Sequence, residues 1–336
     1  MQTTSNEAGF DECTPTHEGV YVLESEGVYL LTVKPTEARE GRALVSGLNN
    51  NTSSCNSKSR VAAVKFRLVS LKENLSTELS DLAANVKADN STANRTRQVH
   101  LLRNRVAHRC FGTGDPRLNS FISDPFGATA TTYGLLDDLR PNTLTDCEVP
   151  LAVLYWTRAG VQFVDTWAVR RRVTAPTPTG FGWPLLADRR RAEGEAMFWQ
   201  FQAQLANWLK NTTTETAIAR TEFDYFPAVG LLPIGGMKFQ RGLDYATFFS
   251  GKTYRNPVYI EGAQMTSLIH ESLLYPPINL KSDEMVWLYL ARENIELIDH
   301  SAFRAPQGYM IFATGHMPFR GGARFDVNRW DYANSL

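Results

Sequence analysis

Residues 149–169 constrain the fold of this chain more than any other segment. The runs VPLAVLYWT (149–157) and VQFVDTWAV (161–169) are rich in β-branched and aromatic residues, and only Arg158, Ala159 and Gly160 separate them. A three-residue link leaves room for an antiparallel hairpin but not for a parallel pair, whose crossover needs a dozen or more residues. Alternation along the second run predicts that Val161, Phe163, Asp165, Trp167 and Val169 share one face. An acid is thereby set among large apolar neighbours.

Upstream, a second hairpin is expected from Val20 to Leu23, a turn at Glu24 to Gly27, and Val28 to Val33, with a third strand from Val61 to Leu71. Between them GLNNNTSSCNSKS (47–59) offers little to bury and is expected to be an exposed loop. The spacing becomes helical from Ser76 to Phe111, interrupted by the polar residues 89–92, so two helices are predicted. In the second, Val99, Leu102, Val106 and Cys110 recur every three or four residues and define a buried stripe.

The segment TAPTPTG (174–180) reads as an extended connector, dividing the chain into an N-terminal α+β region, 1–175, and a C-terminal α+β region, 176–336. The second region opens with a long amphipathic helix from Asp188 to about Lys210, with Met197, Phe198, Phe201, Leu205, Trp208 and Leu209 on one wide apolar face. Beyond Thr221, short strands alternate with turns in FDYFPAVGLLPIGG, KTYRNPVYIEG, EMVWLYLAREN and GYMIFATGH. The expected fold class is α+β, with short, mainly antiparallel strands and a few amphipathic helices.

The 336 residues, 43% of them hydrophobic, are enough for a sizeable core. Lys+Arg and Asp+Glu both number 35, so no overall positive charge draws the chain to nucleic acid or an anionic membrane. The N-terminal residues carry no basic and apolar secretory pattern, and the apolar runs stop well short of the ~20 residues of a membrane helix. A cytoplasmic protein is expected. Cys13, Cys55, Cys110 and Cys147 form no CxxC pair and are read as reduced thiols; the six N-x-S/T sequons are read as polar loops.

Little in the sequence carries chemistry by itself. The six histidines are dispersed, with no HExxH and no carboxylate pair at ligand spacing, so neither a metal nor a cofactor is expected. The sharpest local pattern is LRNRVAH (102–108), which resembles the R-x4-H signature of HEPN ribonucleases, including the asparagine after the arginine. That resemblance implies metal-independent RNA cleavage, with His108 as acid or base, Arg103 stabilising the phosphorane and Asn104 beside it. Ordinary structural hydrogen bonding of the same residues is the competing reading.

Arg170, Arg171 and Arg172 and then Arg189, Arg190 and Arg191 bracket the connector and could form one basic patch. Interleaved aromatics for base stacking are missing, so a protein partner fits better than nucleic acid, and a solvated face with local ion pairs is the competing reading. Phe201 and Trp208 are the candidate anchors for such a partner, because aromatic and Arg residues concentrate binding energy at interfaces; the competing reading is that both simply fill the core of the second region.

A broader resemblance runs from about residue 20 to 330. CEVPLAVLYWT, FVDTWAVRRR, AEGEAMFWQFQ, YFPAVGLLPIGG and SLLYPPINL resemble uncharacterised bacterial proteins found with phage-tail-like or contractile injection systems. This implies a non-enzymatic structural or interaction component whose partners are assembly subunits, with self-association among the options. The alternative is an HEPN-like ribonuclease acting through Arg103 and His108.

Overall fold

A computed structural model describes residues 25–45, 54–88, 91–117, 132–170, 183–210, 217–234, 243–291 and 308–315. The expected strand Val20 to Leu23, the connector 174–180, Arg171, Arg172 and Cys13 lie outside the described residues.

The 149–169 hairpin forms as β3 (Val149–Thr157) and β4 (Gly160–Asp165). It continues a sheet of order β2-β1-β3-β4, where β1 is Gly27–Val45 and β2 is Ser54–Ser70, and every pairing is antiparallel. Two details depart from simple alternation. A register shift between Tyr155 and Trp156 pairs Trp156 with Val161, and Val161 becomes exposed while Phe163 and Asp165 stay buried. The strand also ends at Asp165, so Trp167 and Val169 belong to the turn that follows.

The expected loop at 47–59 is partly strand. Residues 54–59 extend β2, with Ser54 opposite Val45 and Ser59 opposite Glu40. Here paired backbone hydrogen bonding overrides a composition that reads as loop, since a two-stranded ribbon asks little of its side chains. Only β2 accompanies β1 beyond Val33, because β3 begins opposite that residue. The ribbon 34–45/54–65 therefore has no third strand among the described residues.

Two helices cover the inner face of this sheet, α1 (Thr77–Ala88) and α2 (Thr92–Phe111), with the short α3 (Leu135–Leu139) beside them. Leu102, Val106, Cys110 and Phe111 of α2 meet Leu30, Val69, Val153, Tyr155 and Phe163 of the sheet in the first core. Gly112 ends α2 with φ +77°, returning its N–H to the Arg109 carbonyl while Thr113 N–H bonds the His108 carbonyl. A β-carbon at Gly112 would crowd the Tyr133 ring and Gly134, so both the left-handed backbone and the space require glycine.

The long helix is α4 (Trp183–Leu209), starting earlier than Asp188. Pro184 sits in its first turn, where its missing N–H has no intrahelical partner to lose. It serves two cores at once: Ala196 and Met197 belong to the first, while Phe201, Leu205 and Trp208 enter a second. The second core surrounds α5 (Ala219–Glu222), the pair β5 (Tyr225–Phe226) and β8 (Ile278–Asn279), α6 (Tyr245–Phe248) and a four-stranded sheet. That sheet has the order β6-β10-β9-β7, from β6 (Val229–Ile234), β10 (Gly308–Thr314), β9 (Val286–Ala291) and β7 (Val258–Ile260). Only the β7–β9 pairing is parallel. The fold class is α+β.

One further helix, α7 (Gly262–Ser272), occupies a stretch that the sequence reading left to strands and turns. Its capping box is Glu261 with Gln264, and Leu268 and Ser272 are buried. Gly194 of α4 faces the end of α7 so closely that a β-carbon there would collide with the Leu273 carbonyl. A mid-helix glycine is tolerated because it permits this crossing.

Candidate functional site

The R-x4-H segment lies in the middle of α2, in a polar seam between that helix, β4 and α4. Arg103 donates through Nε to Asp165 Oδ2 at 2.7 Å. Asp165 also accepts from Gln200 Nε2 at 3.1 Å and from the Ala168 backbone N–H at 2.9 Å. Gln200 then donates to Gln204, which donates to the His100 carbonyl at 2.8 Å. The acid anticipated among apolar residues is thus compensated by three donors, as a buried carboxylate must be.

Asn104 is bound by the backbone of another element. Its Oδ1 accepts the N–H groups of Asp224 and Tyr225, both at 3.1 Å, and its Nδ2 donates to the Tyr225 carbonyl at 3.0 Å. Arg105 reinforces the same junction through an ion pair with Asp224. His108 is 1% exposed, has Nδ1 at 3.0 Å from Thr113 Oγ1, and stacks on Tyr225 with ring centroids 5.0 Å apart.

These surroundings fix the protonation of both histidines. Burial depresses His108 to a pKa of about 3. His100 is lowered to about 3 by burial first and then by the charge of Arg103. Both are neutral at pH 7. A general acid–base pair works best with pKa values near the working pH, and the Arg103 charge that would meet a phosphorane is already held by Asp165. The arrangement is suited to fastening the two halves of the chain together.

No family model, curated protein or solved structure matches this chain. The residues themselves must therefore carry the functional reading.

Of the six arginines, Arg170, Arg189, Arg190 and Arg191 lie among the described residues, and they differ in their surroundings. Arg189 donates to Glu193 Oε1 at 2.9 Å, pairs with Asp137 at 3.0 Å and lies over the Tyr133 ring with its guanidinium carbon 3.7 Å from the centroid. Arg190 is buried, and Arg191 is exposed. Arg170 is exposed and lies over Trp167, which stacks on Trp199. Phe201 and Trp208, expected at a partner surface, are 1% and 5% exposed. Their own chain covers them: Phe201 contacts Phe223, Phe226 and Phe312, and Trp208 contacts Phe223 and donates to Glu222. The wide apolar stripe is filled because α4 sits between two cores, which needs more apolar width than a helix on one surface does.

Sequence reasoning missed the cluster around Glu193. Tyr133 donates its hydroxyl to Glu193, and burial first, then the Glu193 charge, keep that phenol protonated. Arg117 bridges Asp115 at 2.7 Å and Asp138 at 2.8 Å, and its hydrogen bond holds Asp115 down at about 2. The signal was the acidic pair Asp137-Asp138 opposite Arg189, which acquires meaning only once helices α3 and α4 meet. Among the described residues no group of three or more His, Cys, Asp or Glu side chains could hold a metal ion, and no helix is long and apolar enough to cross a membrane. Cys110 is buried and Cys147 exposed, and neither is in a disulfide.

Among the described residues, exposed apolar side chains gather on the outer face of the first sheet. Of the ten exposed large hydrophobic residues among those described, seven belong to this sheet and its ribbon, and six of those share its outer face. Val64 is 63% exposed, Phe66 61%, Leu68 38%, Val149 54%, Val161 55% and Val164 50%. The registers place Phe66, Val33 and Val149 in one cross-strand row, and Leu154 and Val164 in another. Scattered exposed apolar residues need no explanation, but such a concentration on one face does.

Proposed function

We propose that this chain is a non-enzymatic structural or interaction component of a larger assembly, of the phage-derived tail-like or contractile injection type that its sequence resembles. The outer face of sheet β2-β1-β3-β4 carries this reading, with Phe66 at its most exposed edge. Monomeric soluble proteins rarely concentrate so many exposed large apolar side chains on one sheet face. The two-stranded ribbon 34–45/54–65 points the same way, because a hairpin gains little stability in water without a third strand or a covering layer, and the described residues supply no third strand. Arg103, Asn104 and His108 already have structural partners, so the most specific catalytic pattern in the sequence has a non-catalytic use.

Sedimentation of lysate from the native source tests the proposal. The chain should travel in a fraction far heavier than its 37.7 kDa, and Phe66→Glu should release it to the light fractions. A native chain that always sediments as a small species would refute the assembly reading. So would metal-independent RNA cleavage by the purified protein that disappears in both Arg103→Ala and His108→Ala with the fold retained.

A further inference from the structure

We infer that the outer face of the first sheet binds a second copy of this chain, sheet against sheet around a two-fold axis. The inference rests on the assembly reading and names one partner for the surface that carries it.

Charge is the first argument. On the outer face, the rows through Ser70–Tyr29–Leu154–Val164, Leu68–Leu31–Ala152, Phe66–Val33–Val149 and Val64–Pro35 contain no ionisable group except the Tyr29 phenol, which like Ala152 is buried and is held by Ser25. The first charges along this face of the ribbon are Glu37 and Arg60, which pair with each other at 3.3 Å. Arg67, on the opposite side of β2, is held by Glu148 and by the Thr143 carbonyl at 2.6 Å. A two-fold contact lays a surface on its own copy, so it tolerates no net charge at its centre. This face meets that condition, and it offers no charge by which an acidic or basic foreign protein would be selected.

Area is the second argument. At roughly 150 Å² for a large side chain, the six exposed residues offer on the order of 500 Å² per chain. Two copies would bury about 1,000 Å² before the half-buried Leu31, Val33, Leu154 and Trp156 are counted, which reaches the size of a specific interface. An apolar centre with its nearest charges at the rim is the composition typical of homodimer contacts. Geometry is the third. Antiparallel sheets pack face to face at about 10 Å, with interdigitating rows of the kind this register supplies. The ribbon, ~40 Å long at 12 residues per strand, would extend along the partner's sheet and gain a covering layer that none of the described residues of its own chain supplies.

Sedimentation equilibrium of the purified full chain at tens of micromolar provides the test. The wild type should have twice the mass of 37.7 kDa. Phe66→Glu and, independently, Val164→Glu on the far flank should each give a monomer with an unchanged melting temperature, because both sites are at least half exposed. Trp199→Glu, exposed but on helix α4, should remain a dimer. A monomeric wild type would overturn the inference, as would a dimer that persists in both sheet variants. Unfolding of both sheet variants would also overturn it, because the face would then be internal to the chain. These outcomes are separable from the assembly reading. A monomeric wild type whose Phe66→Glu variant still leaves the heavy lysate fraction keeps the assembly but gives it a foreign partner. A dimer dissolved by both variants, in a protein absent from any heavy fraction, keeps the dimer and removes the assembly.

Discussion

Asp165→Ala should be among the most destabilising single changes available in this protein, although Asp165 lies in neither a cap nor a turn. The substitution leaves three donors behind. Arg103, whose side chain is 10% exposed, loses the carboxylate at 2.7 Å; Gln200 and the Ala168 N–H lose theirs at 3.1 and 2.9 Å. Removing one partner of a buried ion pair costs about 3–5 kcal/mol, chiefly because the other charge is stranded. Gln200 can keep its bond to Gln204, so the neutral donors add about 1 kcal/mol. Against a total stability of about 5–15 kcal/mol, the loss should shift the urea midpoint strongly. Urea unfolding followed by tryptophan fluorescence suits the site, since Trp167 is two residues from Asp165 and Trp199 adjoins Gln200. The double variant Arg103→Met/Asp165→Leu should recover at least about 2 kcal/mol relative to Asp165→Ala, because it removes the stranded charge. A loss under about 1 kcal/mol in Asp165→Ala, or a double variant no better than the single, would show that Arg103 reaches solvent. The structural account of the R-x4-H segment would then fail.

Acid should weaken the fold through His100 and His108. An unfolded histidine takes its proton near 6.5, while these two resist until about 3, so between those values the unfolded state holds more protons and stability falls as pH falls. Above 6.5 they add no pH dependence, and within the window each contributes ~1 kcal/mol per pH unit. Asp115, held at about 2, adds a loss only between about 3.8 and about 2. Urea midpoints between pH 6.5 and 4.5 should therefore slope less steeply in His100→Leu/His108→Leu than in wild type, and equal slopes would refute the burial of these rings. Trp208→Ala should cost about 3–5 kcal/mol as a core cavity and leave the oligomeric mass unchanged. An unchanged melting temperature with a lower mass would restore Trp208 to an interface.

Much of the secondary structure was legible in short-range pattern. The hairpin at 149–165, the two helices 77–88 and 92–111, and the strands at 229–234, 286–291 and 308–314 follow from alternation, helical spacing and turn residues. These are local signals, expressed within a few residues by the chain's own stereochemistry. The stripe Leu102, Val106 and Cys110 was likewise correct as a buried face. Residues 54–59 were misread because a strand in a two-stranded ribbon needs backbone pairing more than side-chain burial, and pairing is not written in composition.

Side-chain role was decided only by tertiary structure. In the sequence, Arg103 and His108 are two chemically capable groups five positions apart. Asp165 lies 62 residues beyond Arg103, and Tyr225 lies far beyond His108, yet they take up the charge of one and cover the ring of the other. Phe201 and Trp208 have the composition of an interface, but α4 runs between two cores and buries them. Phe66 and Val164 looked like ordinary strand residues, and only the register of four strands gathered them on one face, where both are exposed. The sequence by itself determined which residues could form helices and strands, since propensity and periodicity act locally. Which apolar faces are covered and which charges are compensated depends on residues distant in the chain, and only packing decides that.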